Sequence, residues 1–203
     1  MKDWAGKRKF DFICSLFGLV VLSPIFLAVA FAIKLNSKGP VFFRQERIGK
    51  DGKNFKIYKF RTMVRDAPKL GQNFTTQASD GRITKIGKLL RRHNIDELPQ
   101  LINVALGEMS LVGPRPEVPE IVKLYDDRQR KVLSIRPGLT DYASLEFRRE
   151  GEIMANSKNL YEDYVDKVLP KKVELQLKYV KERSLIVDLK LIFATIGRIL
   201  GIK

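Results

Sequence analysis

The sequence predicts an α/β chain, mostly helical with a small β-hairpin, behind an apolar N-terminal segment suited to a membrane. Three observations carry this. No charged residue occurs from Phe12 to Ile33. Two alternating, aromatic-rich runs flank Asp51-Gly52, a strong hairpin signal. Beyond Ile83, apolar residues recur at helical spacing in one segment after another. The 203 residues suit one domain. Against 23 acidic residues stand 38 basic ones, a formal +15, which points to a polyanionic partner: nucleic acid, anionic lipid or a phosphorylated substrate. The single Cys14 excludes an intramolecular disulfide, and with His93 the lone histidine no Cys/His set has zinc spacing.

The apolar run meets the roughly 20 residues that crossing a bilayer requires. No small-residue cleavage pattern precedes Lys34, which speaks against a signal peptide. One reading is a spanning helix with a proline kink. The flanks favour another, because Lys7, Arg8 and Lys9 on one side and Lys34, Lys38, Arg44 and Arg47 on the other all prefer the cytoplasmic side. At mid-run the Pro24 ring clashes with the carbonyl of Val20, and the Ser23 hydroxyl can bond a freed backbone group. The segment is therefore expected to enter the membrane, turn at Ser23-Pro24 and leave as a re-entrant hairpin. That divides the chain into a membrane element over 1–38 and a domain over 39–203.

Lys38-Gly39-Pro40 is a turn, and strands are expected over Val41 to Ile48 and Asn54 to Met63. The second strand places Lys59 and Arg61 on one face, where they can meet a phosphate or simply face solvent. Val64 to Ile83 lacks hydrophobic periodicity and is expected to be a mobile lid. Ile86, Leu89 and Leu90 interleave with Lys85, Lys88, Arg91 and Arg92 as a short basic amphipathic helix. Further helices are expected over Leu98 to Leu106, Glu117 to Ser134, Tyr161 to Arg183 with an interruption at Pro170, and Leu185 to Leu200. Ile135 to Thr140 is read as a turn, and Tyr142 to Phe147 as a short strand or irregular segment leading to Arg148. The C-terminal helices are basic and apolar at once, fit either for an anionic membrane surface or for packing on the domain's core.

The stretch RRHNIDELPQLINVALGEMSLVGPRP, Arg91 to Pro116, concentrates the chemistry. Asp96 and Glu97 adjoin Arg91 and Arg92 upstream and Arg115 downstream. Guanidinium groups bind phosphate through forked, charge-assisted hydrogen bonds and favour the charged form of a nearby carboxylate. Pro99 suits a first helical turn, so the dyad is expected beside a helix start whose free N–H groups face an anion. The competing reading is that Asp96 and Glu97 only cap that helix.

These blocks carry a resemblance. The Ser23-Pro24 segment, KIYKFRTM, DELPQLINVALGEMSLVGPRP and RPGLT at Arg136 to Thr140 together resemble the bacterial sugar transferases, the monotopic polyprenol-phosphate phosphoglycosyl transferases. The resemblance implies a monotopic α/β catalytic domain on the cytoplasmic face of the bacterial inner membrane, seated by the re-entrant helix and by surface amphipathic helices. It implies transfer of a sugar phosphate from a UDP-sugar to undecaprenyl phosphate with release of UMP, using Mg2+. Asp96 would be the nucleophile and Glu97 its support, as metal ligand, base or both; the metal would sit at Asp96 and Glu97. Arg91, Arg115 and Arg148 would handle phosphate, with Lys59 and Arg61 as further members. After RPGLT the chain reads DYASLEFRREG, where many relatives carry further glycines, so the role of Arg148 and the choice of sugar rest on different local chemistry here. A homodimer is left open. The alternative from another class is a membrane-anchored basic module binding anionic lipid or nucleic acid. No nucleic-acid-reading motif occurs, and the aromatics do not alternate with basic residues as stacking platforms, so no nucleic acid is expected.

Overall fold

The computed structural model describes residues 3–67, 80–147, 159–199 and 201. Arg148 and most of the expected lid lie outside the described residues. Among the described residues the architecture is mostly helical with two small sheets.

Helix α1, Lys7–Val21, and helix α2, Ser23–Asn36, meet at Leu22 with a bend of 59°. The break follows from the sequence: Pro24 stands in the first turn of α2, and Ser23 Oγ donates to the freed carbonyl of Val20 at 2.8 Å. Neither helix alone is long and apolar enough to cross a membrane, but the bent pair together is. Helix α1 is patterned inside out. Its buried residues are Lys7, Asp11 and Ser15, while Ile13, Phe17 and Val20 lie 64 to 69% exposed. Lys7 Nζ is 2.5 Å from Asp188 Oδ2, which also accepts from Trp4 Nε1 at 2.9 Å, so the polar face is paired inside the fold.

Strands β1, Phe42–Ile48, and β2, Asn54–Phe60, form the expected antiparallel hairpin, with Phe42 opposite Phe60 and Ile48 opposite Asn54. Asp51 and Gly52 take positive φ in the connection, a conformation that Asp tolerates and Gly prefers. Helix α3, Lys85–Arg92, is capped by Thr84, whose hydroxyl accepts from the Gly87 amide at 3.0 Å. Ile33, Phe60 and Leu90 pack together and join α2, β2 and α3.

Helix α4, Gln100–Leu106, follows the 3-10 turn Ile95–Glu97. Next comes strand β3, Ser110–Val112, which pairs in parallel with β4, Gly138–Thr140. The expected turn over Ile135 to Thr140 is thus corrected: its second half is a strand, too short for an alternating pattern to reveal. The long helix expected from Glu117 to Ser134 is also corrected. It is a single turn, α5 at Pro119–Val122, and a separate 3-10 segment, Gln129–Ser134. Asp126 and Gln129 cap each other reciprocally, Oδ1 accepting from the Gln129 amide at 2.7 Å and Oε1 from the Asp126 amide at 3.0 Å, which starts a new turn where the periodicity suggested continuity. Tyr142–Glu146 is helix α6, not a strand, because Asp141 accepts from the Ser144 amide at 2.6 Å as an N-cap.

Helix α7, Leu160–Asp163, passes through the π-turn Tyr164–Val168 into α8, Leu169–Glu182. The interruption at Pro170 therefore falls where the backbone has already changed register. Helix α9, Leu185–Ile199, ends the described fold. Tyr164, Val168, Leu169 and Val173 form one core with Ile48, Ile121 and Val132.

Candidate active site

Asp96 and Glu97 occupy the 3-10 turn between α3 and α4. Asn94 opens the turn at φ 55°, a left-handed conformation that asparagine adopts more readily than most residues. Helix α4 begins two residues later than expected, at Gln100, with Leu98 and Pro99 already in helical angles. The amides expected to face an anion are largely taken: Glu97, Leu98, Leu101 and Ile102 donate to Asn94, Ile95, Leu98 and Pro99. The cations around the dyad are side chains.

Glu97 is clamped from two directions. Lys59 Nζ, from β2, is 2.8 Å from Oε1. Arg115, held between Pro114 and Pro116, donates from Nη1 to Oε2 at 3.0 Å and from Nη2 to Oε1, a forked pairing. Burial alone would raise the Glu97 pKa, but Arg115 and Lys59 outweigh it and hold the carboxyl well below the usual glutamate range. Lys59 is lowered by burial, with Glu97 opposing.

Asp96 has the opposite character. It is 8% exposed, and among the described residues no side chain hydrogen-bonds to it. Burial raises its pKa first and the charge of Glu97 second, against the pull of Lys59, Arg91 and Arg115. The dyad therefore pairs one carboxylate fixed as an anion with one that is open and more basic.

Of the other residues expected in the site, Arg91 stands at the end of α3, donates from Nε to Thr62 Oγ1 at 2.9 Å, and feels the charge of Asp96. Arg61 lines the same cavity, but its guanidinium bonds the carbonyls of Ser37 at 2.9 Å and Lys38 at 2.5 Å, tying the residues after α2 to the residue that follows β2. Asn103, fully buried in α4, accepts from the Tyr58 amide at 2.9 Å and donates to the Lys56 carbonyl at 2.9 Å. This fastens α4 to β2 just ahead of Lys59. The cavity over the dyad measures about 750 Å³, large enough for a small-molecule ligand. Its polar floor holds Lys59, Arg91, Asp96, Glu97 and Arg115, and its walls include Phe42, Phe43, Phe60, Leu98 and Leu101.

Sequence reasoning missed Arg47, Glu117, Tyr164 and Lys172, which also line the cavity. Burial would raise the Glu117 pKa, but Lys172 and Arg47 outweigh it and lower it. Only the position of Glu117 directly after Pro114-Arg115-Pro116 could have signalled it; Tyr164 and Lys172 arrive from a distant helix.

The chain is similar to known proteins along most of its length. The chain is 40% identical over 206 residues to the undecaprenyl-phosphate glucose phosphotransferase of Komagataeibacter xylinus, covering 97% of this chain and 36% of that protein. It is 37% identical over 199 residues to the UDP-N-acetylgalactosamine-undecaprenyl-phosphate N-acetylgalactosaminephosphotransferase of Aeromonas hydrophila, covering 96% of this chain and 43% of that protein. With the exopolysaccharide production protein PSS of Rhizobium leguminosarum bv. phaseoli it shares 39% identity over 205 residues, 96% of this chain and 94% of that one. The chain thus spans about two fifths of the length of the first two relatives and nearly all of the third. The model of the bacterial sugar transferase family matches residues 2–201, and with the dyad, its clamping cations and these relatives in view, the chain belongs to that family.

Proposed function

We propose that this chain is a phosphoglycosyl transferase that moves a sugar phosphate from a UDP-sugar to undecaprenyl phosphate and releases UMP. The observation that carries it is the pairing of a buried Asp96, which lines the cavity without a side-chain hydrogen bond among the described residues, with a Glu97 clamped by Lys59 and Arg115. An Asp96 oxygen attacks the sugar-side phosphorus of the donor. The bond from that phosphorus to the bridging oxygen breaks, and UMP departs with the electron pair. An acyl phosphate joining Asp96 to the sugar phosphate remains. A phosphate oxygen of the acceptor then attacks the same phosphorus, Asp96 leaves as a carboxylate, and the lipid diphosphate sugar is formed. Splitting the transfer through a covalent intermediate replaces one hard step by two easier ones.

Bringing an anionic phosphate to a carboxylate requires charge neutralisation, and Lys59, Arg91 and Arg115 stand around the dyad to supply it. Glu97 holds Lys59 and Arg115 in place while remaining ionised. Its lowered pKa suits it poorly to take a proton, so its support of Asp96 is electrostatic and positional.

Among the described residues no group of three His, Cys, Asp or Glu could hold a metal ion. Magnesium needs no such cage, since it takes one or two carboxylates with substrate phosphates and water; Asp96, which lines the cavity without a side-chain hydrogen bond among the described residues, would be its main ligand, and Glu97, already bonded to Lys59 and Arg115, would add its second carboxylate through Oε2. Bound there, it would add positive charge at the phosphate oxygens.

The bent α1–α2 pair, with apolar residues of both helices outward and Lys7, Asp11 and Ser15 of α1 inside, supports a re-entrant seat in the cytoplasmic membrane. Ile186, Phe193 and Ile196 of α9 are also exposed, supporting contact with the same surface. The relatives' names differ in sugar, glucose in one and N-acetylgalactosamine in another, so a panel of UDP-sugars identifies the donor. The test is intact-mass analysis of the protein with donor alone. A sugar-phosphate adduct that disappears in Asp96→Asn is expected; turnover without any adduct would sink the covalent route.

A further inference from the structure

We propose that the buried cluster of Glu117, Lys172, Tyr164 and Arg47 is a positioning module that sets the direction of the Arg115 guanidinium; its effect on rate rests on the transferase reading above. Every backbone carbonyl from Arg115 to Glu117 has a donor. Gln176 Nε2 reaches Arg115 O at 3.4 Å, Arg47 Nη1 reaches Pro116 O at 3.2 Å, and the Ile48 amide reaches Glu117 O at 3.0 Å. The Glu117 carboxylate accepts from Tyr164 Oη at 2.7 Å and Lys172 Nζ at 3.2 Å, with Arg47 Nη1 at 3.8 Å from its other oxygen. Lys172 also donates to Tyr164 Oη at 2.9 Å.

These holdfasts come from β1, the π-turn and α8, none of which carries the dyad. Upstream, the Gly113 amide donates to Thr140 O at 3.0 Å and the Gly138 amide to Pro114 O at 2.9 Å. Arg115 is therefore fixed on both sides, between prolines whose φ is already locked. Glu117 and Lys172 are 8% and 5% exposed. Burying such a pair is a poor route to stability, because desolvation offsets the attraction and apolar residues of similar volume often serve as well. What it does supply is a direction. Arg115 leaves this anchored segment to fork onto Glu97, so a distant helix reaches the dyad through one side chain. Glu117 and Tyr164 act through Arg115.

The full chain in nanodiscs provides the test, with Tyr164→Phe and Glu117→Gln. Tyr164→Phe removes one hydroxyl and keeps the ring, so it reports even if Glu117→Gln fails to fold. The first readout needs no turnover: the guanidinium nitrogen resonances of Arg115, assigned by their loss in Arg115→Lys, which the fork onto Glu97 keeps separate. In Tyr164→Phe they are expected to merge as the fork loosens. The second readout is UMP release, with kcat expected to fall about 10- to 100-fold, KM to change less than about twofold, and Tyr164→Phe to add little in an Arg115→Lys background. A lowered melting temperature with unchanged resonances and unchanged kcat would overturn the proposal. So would a lower kcat with the Arg115 resonances still separate, since the loss would then run by another route. If the unaltered chain releases no UMP from any donor, the transferase reading fails, and the resonances alone still decide the positioning role.

Discussion

Lys59 Nζ lies 2.8 Å from Glu97 Oε1, and this pair joins the second hairpin strand to the turn that bears Asp96. The hairpin is thereby part of the site. It delivers one of the cations that keeps Glu97 ionised, and Asn103 fixes its register against α4.

Removing that cation has a definite sign. Lys59 lowers the proton affinity of both Asp96 and Glu97, so Lys59→Met raises the affinity of the pair. The ionised dyad is then lost at a higher pH as pH falls. The acid limb of UMP release should move upward in pH in Lys59→Met, read from a pH–rate profile beside the unaltered chain. An unmoved limb would contradict the electrostatic role of Lys59.

On the proposed mechanism Asp96→Asn should lower turnover by at least about 1,000-fold, since loss of the proposed nucleophile would remove the covalent route. The Asp96 pKa is raised in the fold, so stability falls as pH climbs from the ordinary aspartate value to the raised one, and above it the charge of Asp96 carries its full cost. The neutral isostere should therefore melt at the same temperature as the parent or higher. A large drop in melting temperature would show that Asp96 is chiefly structural.

Much of this layout was legible in the sequence, for reasons that differ by residue. The break at Ser23-Pro24 and the hairpin at Asp51-Gly52 are dictated by single residues with strong local preferences, and both stand where expected. Asp96, Glu97, Arg91 and Arg115 lie within one short stretch, so their convergence could be anticipated. The parallel pairing of β3 with β4 was hidden because each strand has three residues and their contact spans distant chain. Tyr164 and Lys172 were hidden because no local pattern marks a buried ion cluster, and Glu117 had only its place after Pro114-Arg115-Pro116 to signal it.

The β3–β4 pairing makes its own demand. A Cβ on Gly138 would stand 2.0 Å from the Gly113 backbone nitrogen, an approach that backbone atoms cannot yield to without moving apart. Gly138→Ala should destabilise the fold by about 1–3 kcal/mol or more. It should also displace Arg115, which follows Gly113 and Pro114, so activity should fall together with melting temperature. Full activity at an unchanged melting temperature would contradict the tight β3–β4 approach.

Acid should weaken the fold through Glu117. Its pKa is lowered in the folded state, so its stabilising contribution is present above the ordinary glutamate range and is lost as pH falls toward the folded value. Glu117→Gln should be less stable at neutral pH by up to about 3–5 kcal/mol, because Lys172 and Arg47 lose their counter-charge. It should also lose less on acidification than the parent. Thermal melts across that range check both signs, and parallel curves would contradict the assignment.

The proposed re-entrant seat of α1–α2 predicts that both ends of the chain label from the same side of the membrane. Impermeant reagents on residues 1 and 203 in sealed vesicles read this directly. Labelling from opposite sides would establish a spanning helix instead.

The most direct measurement is the identity of the nucleotide released when the chain turns over a UDP-sugar with undecaprenyl phosphate. Attack by Asp96 on the sugar-side phosphorus releases UMP, and UMP is the product expected, in amounts matching the lipid-linked sugar phosphate formed. Release of UDP would mean that the bond broken is the one between sugar and phosphate, and the proposed chemistry at Asp96 would be wrong.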